Sequence, residues 1–234
     1  MRVHEVKKNV MTAALLVLLG LSGISAQSAG GGISVFVPET LYRYGQGTIA
    51  FEQGFSTSVG IGSNFSVPLG FAYHSSDGYL LSHDELGDVQ LPVLYGDSIL
   101  PYAGLQARIP LGQTFYIEAF AGGLLHWAFS LNPTGLGMSQ ALASSPTEYV
   151  AIESLKIDRK LGYGWLAGGA FGVRIGAISV DLGATYRAIV NPVDISGTIH
   201  RVNGGTATDE PLALTDARAI LRGISFRIGG SYQL

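Results

Sequence analysis

His126 and Ser130 lie on one side of a stretch of alternating polarity, with Glu118 on the same side. A hydroxyl, an imidazole and a carboxylate are the parts of a nucleophilic hydrolase, but nucleophile and base must meet through a hydrogen bond. Residues four apart on a strand stand roughly 13 Å from each other, so this stretch does not assemble such a site by itself. The chain is read as a protein without catalytic residues. His74, Asp77, His83, Asp84, Glu85 and Asp88 gather the imidazole and oxygen groups that a divalent ion takes, at no recognised ligand spacing. They are read as a solvated acidic loop, and neither a metal nor a cofactor is expected. Cysteine is absent from the 234 residues, which removes thiolate ligands, disulfides and cysteine nucleophiles together. The glycine-rich strings lack a following Lys-Ser or Lys-Thr, so no phosphate-cradling loop is indicated.

A third set of charges is more informative. Glu52, Arg108, Glu118, Arg174, Asp181, Arg187 and Arg227 each share one side of their segment with glycine and serine, opposite large apolar residues. Four basic and three acidic groups nearly balance, and ions withdrawn from bulk water need partners. They are read as an internal charge network, which leaves the question of what holds them inside.

Only 13% of the residues are charged, 47% are hydrophobic and 33 are glycine, an unusually apolar and glycine-rich composition for a soluble domain. A net charge of −3 without Lys/Arg runs leaves nothing to hold a phosphate backbone, so nucleic acid is not a partner. Arg2, Lys7 and Lys8 precede an apolar stretch at 10–21 and the small residues Ser22, Gly23, Ser25 and Ala26, the build of a signal peptide cleaved after residue 26 or after Ala29. The expected mature chain, 27–234, is exported.

Beyond residue 26 no apolar run reaches the ~20 residues of a helical span. The other solution that satisfies every backbone group in lipid is a closed barrel, whose strands alternate apolar and polar residues. Period two is clearest at 224–234, where Ile224, Phe226, Ile228 and Tyr232 oppose Ser225, Arg227, Gly229 and Ser231. It recurs at 48–61, 115–131, 161–175 and 178–188, and more weakly at 65–74 and 100–111, where Pro68, Pro101 and Pro110 call for strand ends or edges. Adding 33–44 makes eight strands. Tight links at 62–64, 112–114 and 176–177 alternate with long ones at 75–99, 132–160 and 190–219, although the link at 45–47 is short. These are the short periplasmic turns and long external loops of an all-β, eight-stranded antiparallel transmembrane barrel. A soluble barrel would carry its charges outside, the reverse of what the alternation gives. Trp127, Tyr163, Trp165, Tyr186 and Tyr232 suit interfacial anchors.

The passages Ile99-Leu100-Pro101-Tyr102-Ala103-Gly104-Leu105-Gln106-Ala107 and Tyr163-Gly164-Trp165-Leu166-Ala167-Gly168-Gly169, with the strand layout of the whole mature chain, resemble the OmpW family of small outer-membrane proteins. Gly229 to Leu234 occupies the place of that family's terminal insertion signal, with Tyr232 and Leu234 its apolar residues. The resemblance implies the outer membrane of a diderm bacterium, insertion by the outer-membrane assembly machinery, the lipid bilayer as a partner, and a passage for small apolar solutes. Phe120, Leu124 and Leu166, beside the inward glycines and with Tyr116 and His126, would line that passage. The inward Gly54, Gly104, Gly122, Gly164, Gly168, Gly172, Gly183 and Gly229 either leave a cavity or make room for Tyr116, Phe120 and the arginines. The alternative is a structural or adhesive barrel with a filled lumen and loops that bind a host or surface ligand. In the third long loop, Ser145-Pro146-Thr147-Glu148 has the capping-box pattern and predicts a short amphipathic helix through Tyr149, Val150, Ile152 and Leu155, resting on the rim or closing it.

Overall fold

The structure, a computed structural model, describes residues 28–84, 86–88, 92–145, 148–203 and 205–233. The expected signal peptide and Leu234 lie outside the described residues. The first half of the chain forms β1 (Ser28–Pro38), α1 (Glu39–Tyr44), β2 (Ala50–Gly60), β3 (Phe65–His83), β4 (Gly87–Asp88), β5 (Leu94–Leu111) and β6 (Phe115–Ala128). The second half forms β7 (Asn132–Pro133), α2 (Gly135–Leu142), β8 (Tyr149–Arg159), β9 (Gly162–Ile175), β10 (Ile178–Asn203) and β11 (Thr206–Gln233).

Eight of these strands close a ring of antiparallel pairs: β1 with β2, β2 with β3, β3 with β5, β5 with β6, β6 with β9, β9 with β10, β10 with β11, and β11 back to β1. Closure leaves no unpaired edge within the ring, which a strand in hydrocarbon requires. The turns at 61–64, 112–114 and 176–177 share one end with Ser28 and Gln233. Two of them turn on Gly112 (φ 77°) and Gly176 (φ 62°), left-handed positions that glycine adopts without strain.

Strand β10 explains how the molecule divides along its height. Over its first eleven residues Ile178, Val180, Leu182, Ala184 and Tyr186 face outward, while Ser179, Asp181, Gly183, Thr185 and Arg187 face the lumen. Farther along, the alternation inverts. Ile189, Val193, Ile195 and Ile199 are buried inside, and Asp194, Ser196, Thr198 and His200 face out. Strand β11 does the same, with Leu212, Leu214, Ala217, Ala219 and Leu221 buried above and Ser225, Arg227 and Gly229 inward below. A wall with lipid outside needs apolar residues outside; a wall with water outside needs them inside. The inversion at Ile189 and Leu221 therefore marks the outer membrane boundary. Ten steps of ~3.3 Å tilted by ~40° carry the lower segment of β10 through about 25 Å, one hydrocarbon thickness for such barrels. Phe51 and Ile175, both 76% exposed, and Trp127, at 62%, belong to the outward apolar belt.

Above that boundary β1 and β2 have ended at α1, and β3 pairs directly with β11 through Leu81 and Ala219. Strand β8 takes over from β9 along β10, with Arg159 opposite Val193 just beyond Tyr163 opposite Val190. Strand β7 continues β6 in the same way along β5. The result is an external β-extension with its own apolar core, in which Tyr79, Leu81, Val93, Leu94 and Met138 are fully buried.

Three expectations are corrected. Residues 33–44 are not one strand: the chain leaves β1 at Pro38 and crosses the rim as α1, ending on Gly45 at φ 68°. The stretches 75–99 and 190–219 are mostly strand rather than loop, because the inverted alternation builds the extension from them. The helix expected after Ser145 is strand β8, since β10 rises above the end of β9 and its exposed ladder needs a partner. Glu148 there accepts the backbone N–H of Ser144 at 2.5 Å and pairs with Arg201 at 2.5 Å. A helix does occupy the loop, but at Gly135–Leu142, where two glycines hid it.

Candidate functional site

Within the membrane the lumen holds two tiers of charge. In the lower tier the Arg108 guanidinium donates to Glu118 at 3.0 Å, and Arg227 bridges Glu118 and Asp181, both at 3.2 Å. Register makes this possible: Arg108 lies directly opposite Glu118, while Asp181 and Arg227 lie diagonally across the β10–β11 pair. In the upper tier the Glu52 carboxylate meets the Arg187 guanidinium, His74 Nδ1 at 2.5 Å, the Ser225 hydroxyl at 2.6 Å and the Ser34 hydroxyl at 3.1 Å. Arg187 also covers the ring of Phe36, 4.2 Å from its centroid. Each buried ion has a partner, as ions removed from bulk water require.

The inward glycines are partly sockets. A Cβ at Gly172 would stand 2.1 Å from Tyr116 Cζ, and one at Gly229 would stand 2.9 Å from an Asp181 oxygen. The Tyr116 ring lies in the first space with the Arg108 guanidinium 4.4 Å above it. Space remains even so: a cavity of about 160 Å³ lies between the tiers and the periplasmic end, bordered by Glu52, Arg108, Glu118, Asp181, Arg187 and Arg227. One side of it is apolar, formed by Ala72, Leu100, Tyr102, Phe120, Leu124 and Leu166 from β3, β5, β6 and β9. Leu100 and Leu124 also belong to the apolar core that fills the barrel above. The outer half of the lumen is thus packed shut, and the inner half is a polar cup with one greasy wall.

The expected lining residues separate. Phe120, Leu124 and Leu166 border the cavity together. Tyr116 lies beneath Arg108, and His126 sits inside the packed region, its Nε2 3.0 Å from the Tyr79 hydroxyl. Six of the seven expected lumen charges interact within the two tiers; Arg174, near the periplasmic end of β9, makes no ion pair among the described residues. Tyr232 faces outward near the end of β11, 54% exposed. His126 and Ser130 are turned to different partners, since the Ser130 hydroxyl accepts the Asp97 backbone N–H at 3.0 Å. His74 was grouped with the acidic loop in the sequence, whereas it lies fully buried on Glu52. Continuing the alternation of 65–74 to its last residue places His74 inward, which is the signal that finds it. Ser34 and Ser225 are inward by the same period.

No protein-family model matches the chain, and no curated protein does. Among solved structures it is similar to a major outer membrane protein from Thermus thermophilus, at 12% identity and a TM-score of 0.43, covering 88% of this chain and 99% of that one. It is also similar to the outer membrane protein AlkL, at 14% identity and a TM-score of 0.32, over 90% of this chain and 92% of that one. An outer membrane channel from Pseudomonas putida aligns at 10% identity and a TM-score of 0.29, over 89% and 96% of the two chains. All three likenesses are of outer-membrane β-barrels, and they concern the fold.

Proposed function

We propose that this protein resides in the outer membrane of a diderm bacterium, reached through a cleaved signal peptide and the barrel-assembly machinery. There it conducts small hydrophobic molecules along a narrow lumen held shut in the conformation described. The observation that carries this reading is the apolar side of the cavity, whose Leu100 and Leu124 also belong to the apolar core above, where Ser98, His126 and Asn191 are buried beside them. A small apolar molecule that loosens the outer packing passes the inward Ser98, His126 and Asn191 and then meets apolar wall at Leu100, Leu124 and Phe120. A sideways exit into the bilayer is favoured at β1, where Gly31 lies opposite Gly230, Gly32 lies opposite both Gly229 and Gly54, and Gly30 lies between Ser231 and Ser56. There the wall is almost bare backbone, with the Phe55 ring lying outside Gly31.

Purified protein in lipid vesicles is expected to speed the equilibration of a fluorescent apolar probe, and Leu124→Glu or Phe120→Glu is expected to slow it. Equal uptake with and without protein would overturn the proposal. A second reading is favoured by the packed outer half, where Tyr79, Leu81, Leu94 and Met138 are fully buried. On that reading the barrel is an anchor for the external β-extension, which binds a surface or host ligand. A barrel silent in planar bilayers that loses ligand binding when residues 132–148 are shortened supports the second reading.

A further inference from the structure

We infer that Glu153, His200 and Asp209 form a site for a first-row divalent ion of the Zn²⁺ type on the water-facing side of the external extension. Their ligand atoms all lie within 4.8 Å of one another, and His200 Nδ1 is 2.6 Å from Asp209 Oδ1. The residues come from three adjacent strands. His200 on β10 lies directly opposite Asp209 on β11. Glu153 arrives from the other side, on β8, by way of a β-bulge: Ser154 pairs with Thr198 and Ile152 with Ile199, so Glu153 is the extra residue of that pair. A bulge bends its strand and re-aims the extra side chain, here onto the face that carries His200. The residue of β8 directly opposite His200 is Ala151, whose methyl group leaves that face open. Glu153 makes no ion pair among the described residues, and the neighbouring Arg201 is already committed to Glu148 and Glu210.

The donor set selects the ion. One imidazole and two carboxylates supply two negative charges and a borderline nitrogen, which suits Zn²⁺, Co²⁺ or Mn²⁺ better than the all-oxygen preference of Ca²⁺ or Mg²⁺. Tetrahedral Zn²⁺ at ~2.0–2.1 Å from its ligands holds them about 3.3 Å apart. Exposed chain ends within 4.8 Å reach that spacing by rotamer adjustment, and water takes the remaining position. Such an ion would have a mechanical consequence. Among the described residues strand β8 pairs with the sheet through β10 alone, and an ion shared with β10 and β11 fastens this edge strand to the tall hairpin.

The test is calorimetric titration of ZnCl₂ into the full-length barrel refolded in detergent and stripped with chelator, with Co²⁺ absorption as a second readout of nitrogen ligation. One Zn²⁺ per chain is expected, undiminished by excess Ca²⁺. His200→Ala, Asp209→Asn and Glu153→Gln should each weaken it by more than about tenfold, whereas His83→Ala should leave it intact. Glu153, His200 and Asp209 lie on the water-facing side of their strands, and unchanged heat-dependent gel mobility confirms that each of the four variants is folded. Absence of Zn²⁺ binding in the wild type overturns the inference. So does binding that survives both Asp209→Asn and Glu153→Gln, since a lone histidine would then account for it.

Discussion

Replacing Glu52 by alanine removes the carboxylate on which Arg187, His74, Ser225 and Ser34 converge. Glu52 is 2% exposed and Arg187 6%, so the guanidinium left behind reaches little solvent to replace its partner. Breaking a buried ion pair from one side costs about 3–5 kcal/mol, because an uncompensated charge stays in a medium that solvates it poorly. At ~1.4 kcal/mol per decade this is about two to three and a half orders of magnitude in the ratio of folded to unfolded protein. Guanidinium unfolding of the barrel in detergent micelles reads it directly. The two tryptophans, Trp127 and Trp165, both face outward in the belt and report the loss of the apolar environment. The double variant Glu52→Leu with Arg187→Met is expected to recover most of the loss, since an apolar pair leaves no orphaned charge. A Glu52→Ala midpoint within about 1 kcal/mol of the wild type, or a double variant worse than the single one, would refute the reasoning. Either outcome would mean that water in the cavity, rather than Glu52, solvates Arg187.

Gly172→Val places a side chain in the space of the Tyr116 ring and should cost about 1–3 kcal/mol in the same unfolding experiment, with Tyr116→Ala restoring part of it. Leu81→Ala, in the external core, should cost about 2–5 kcal/mol and raise the baseline uptake of apolar probes if that packing is what closes the lumen. Outside the membrane, Asp194 accepts the Asp216 backbone N–H at 2.9 Å and an ion pair from Lys160 at 3.0 Å, and those donors, in that order, hold its carboxyl below the usual aspartate range. A depressed folded value means that the contribution is complete above the unfolded value of about 3.9 and fades as the pH falls through the folded one. The protection of the Asp216 amide, whose φ of 59° this contact secures, should therefore fall in strong acid relative to the intrinsic exchange rate at that pH in the wild type. In Asp194→Asn that protection should be low already at neutral pH; equal protection in both proteins removes Asp194 from the account.

Period-two alternation at 48–61, 115–131, 161–175, 178–188 and 224–234 defines five of the eight strands of the membrane ring, because the side-chain period of a strand is a local property and the bilayer imposes its polarity on each strand separately. The same alternation put Glu52, Arg108, Glu118, Asp181, Arg187 and Arg227 inside. Which of these charges meet was decided by the tertiary structure, since the distance from Glu52 to Arg187 depends on the stagger of strands 135 residues apart in the chain. The external extension was present in the sequence as the inverted pattern of β10 and β11, but inward and outward exchange meaning there, and only the position of the bilayer distinguishes the two segments. Residues 149–159 made the same point locally. Their capping pattern favours a helix, and they form β8 because the unpaired rise of β10 offers hydrogen bonds that an isolated segment cannot anticipate. Likewise the meeting of Glu153, His200 and Asp209 follows from one extra residue in β8, a matter of register between strands that no single stretch of sequence contains.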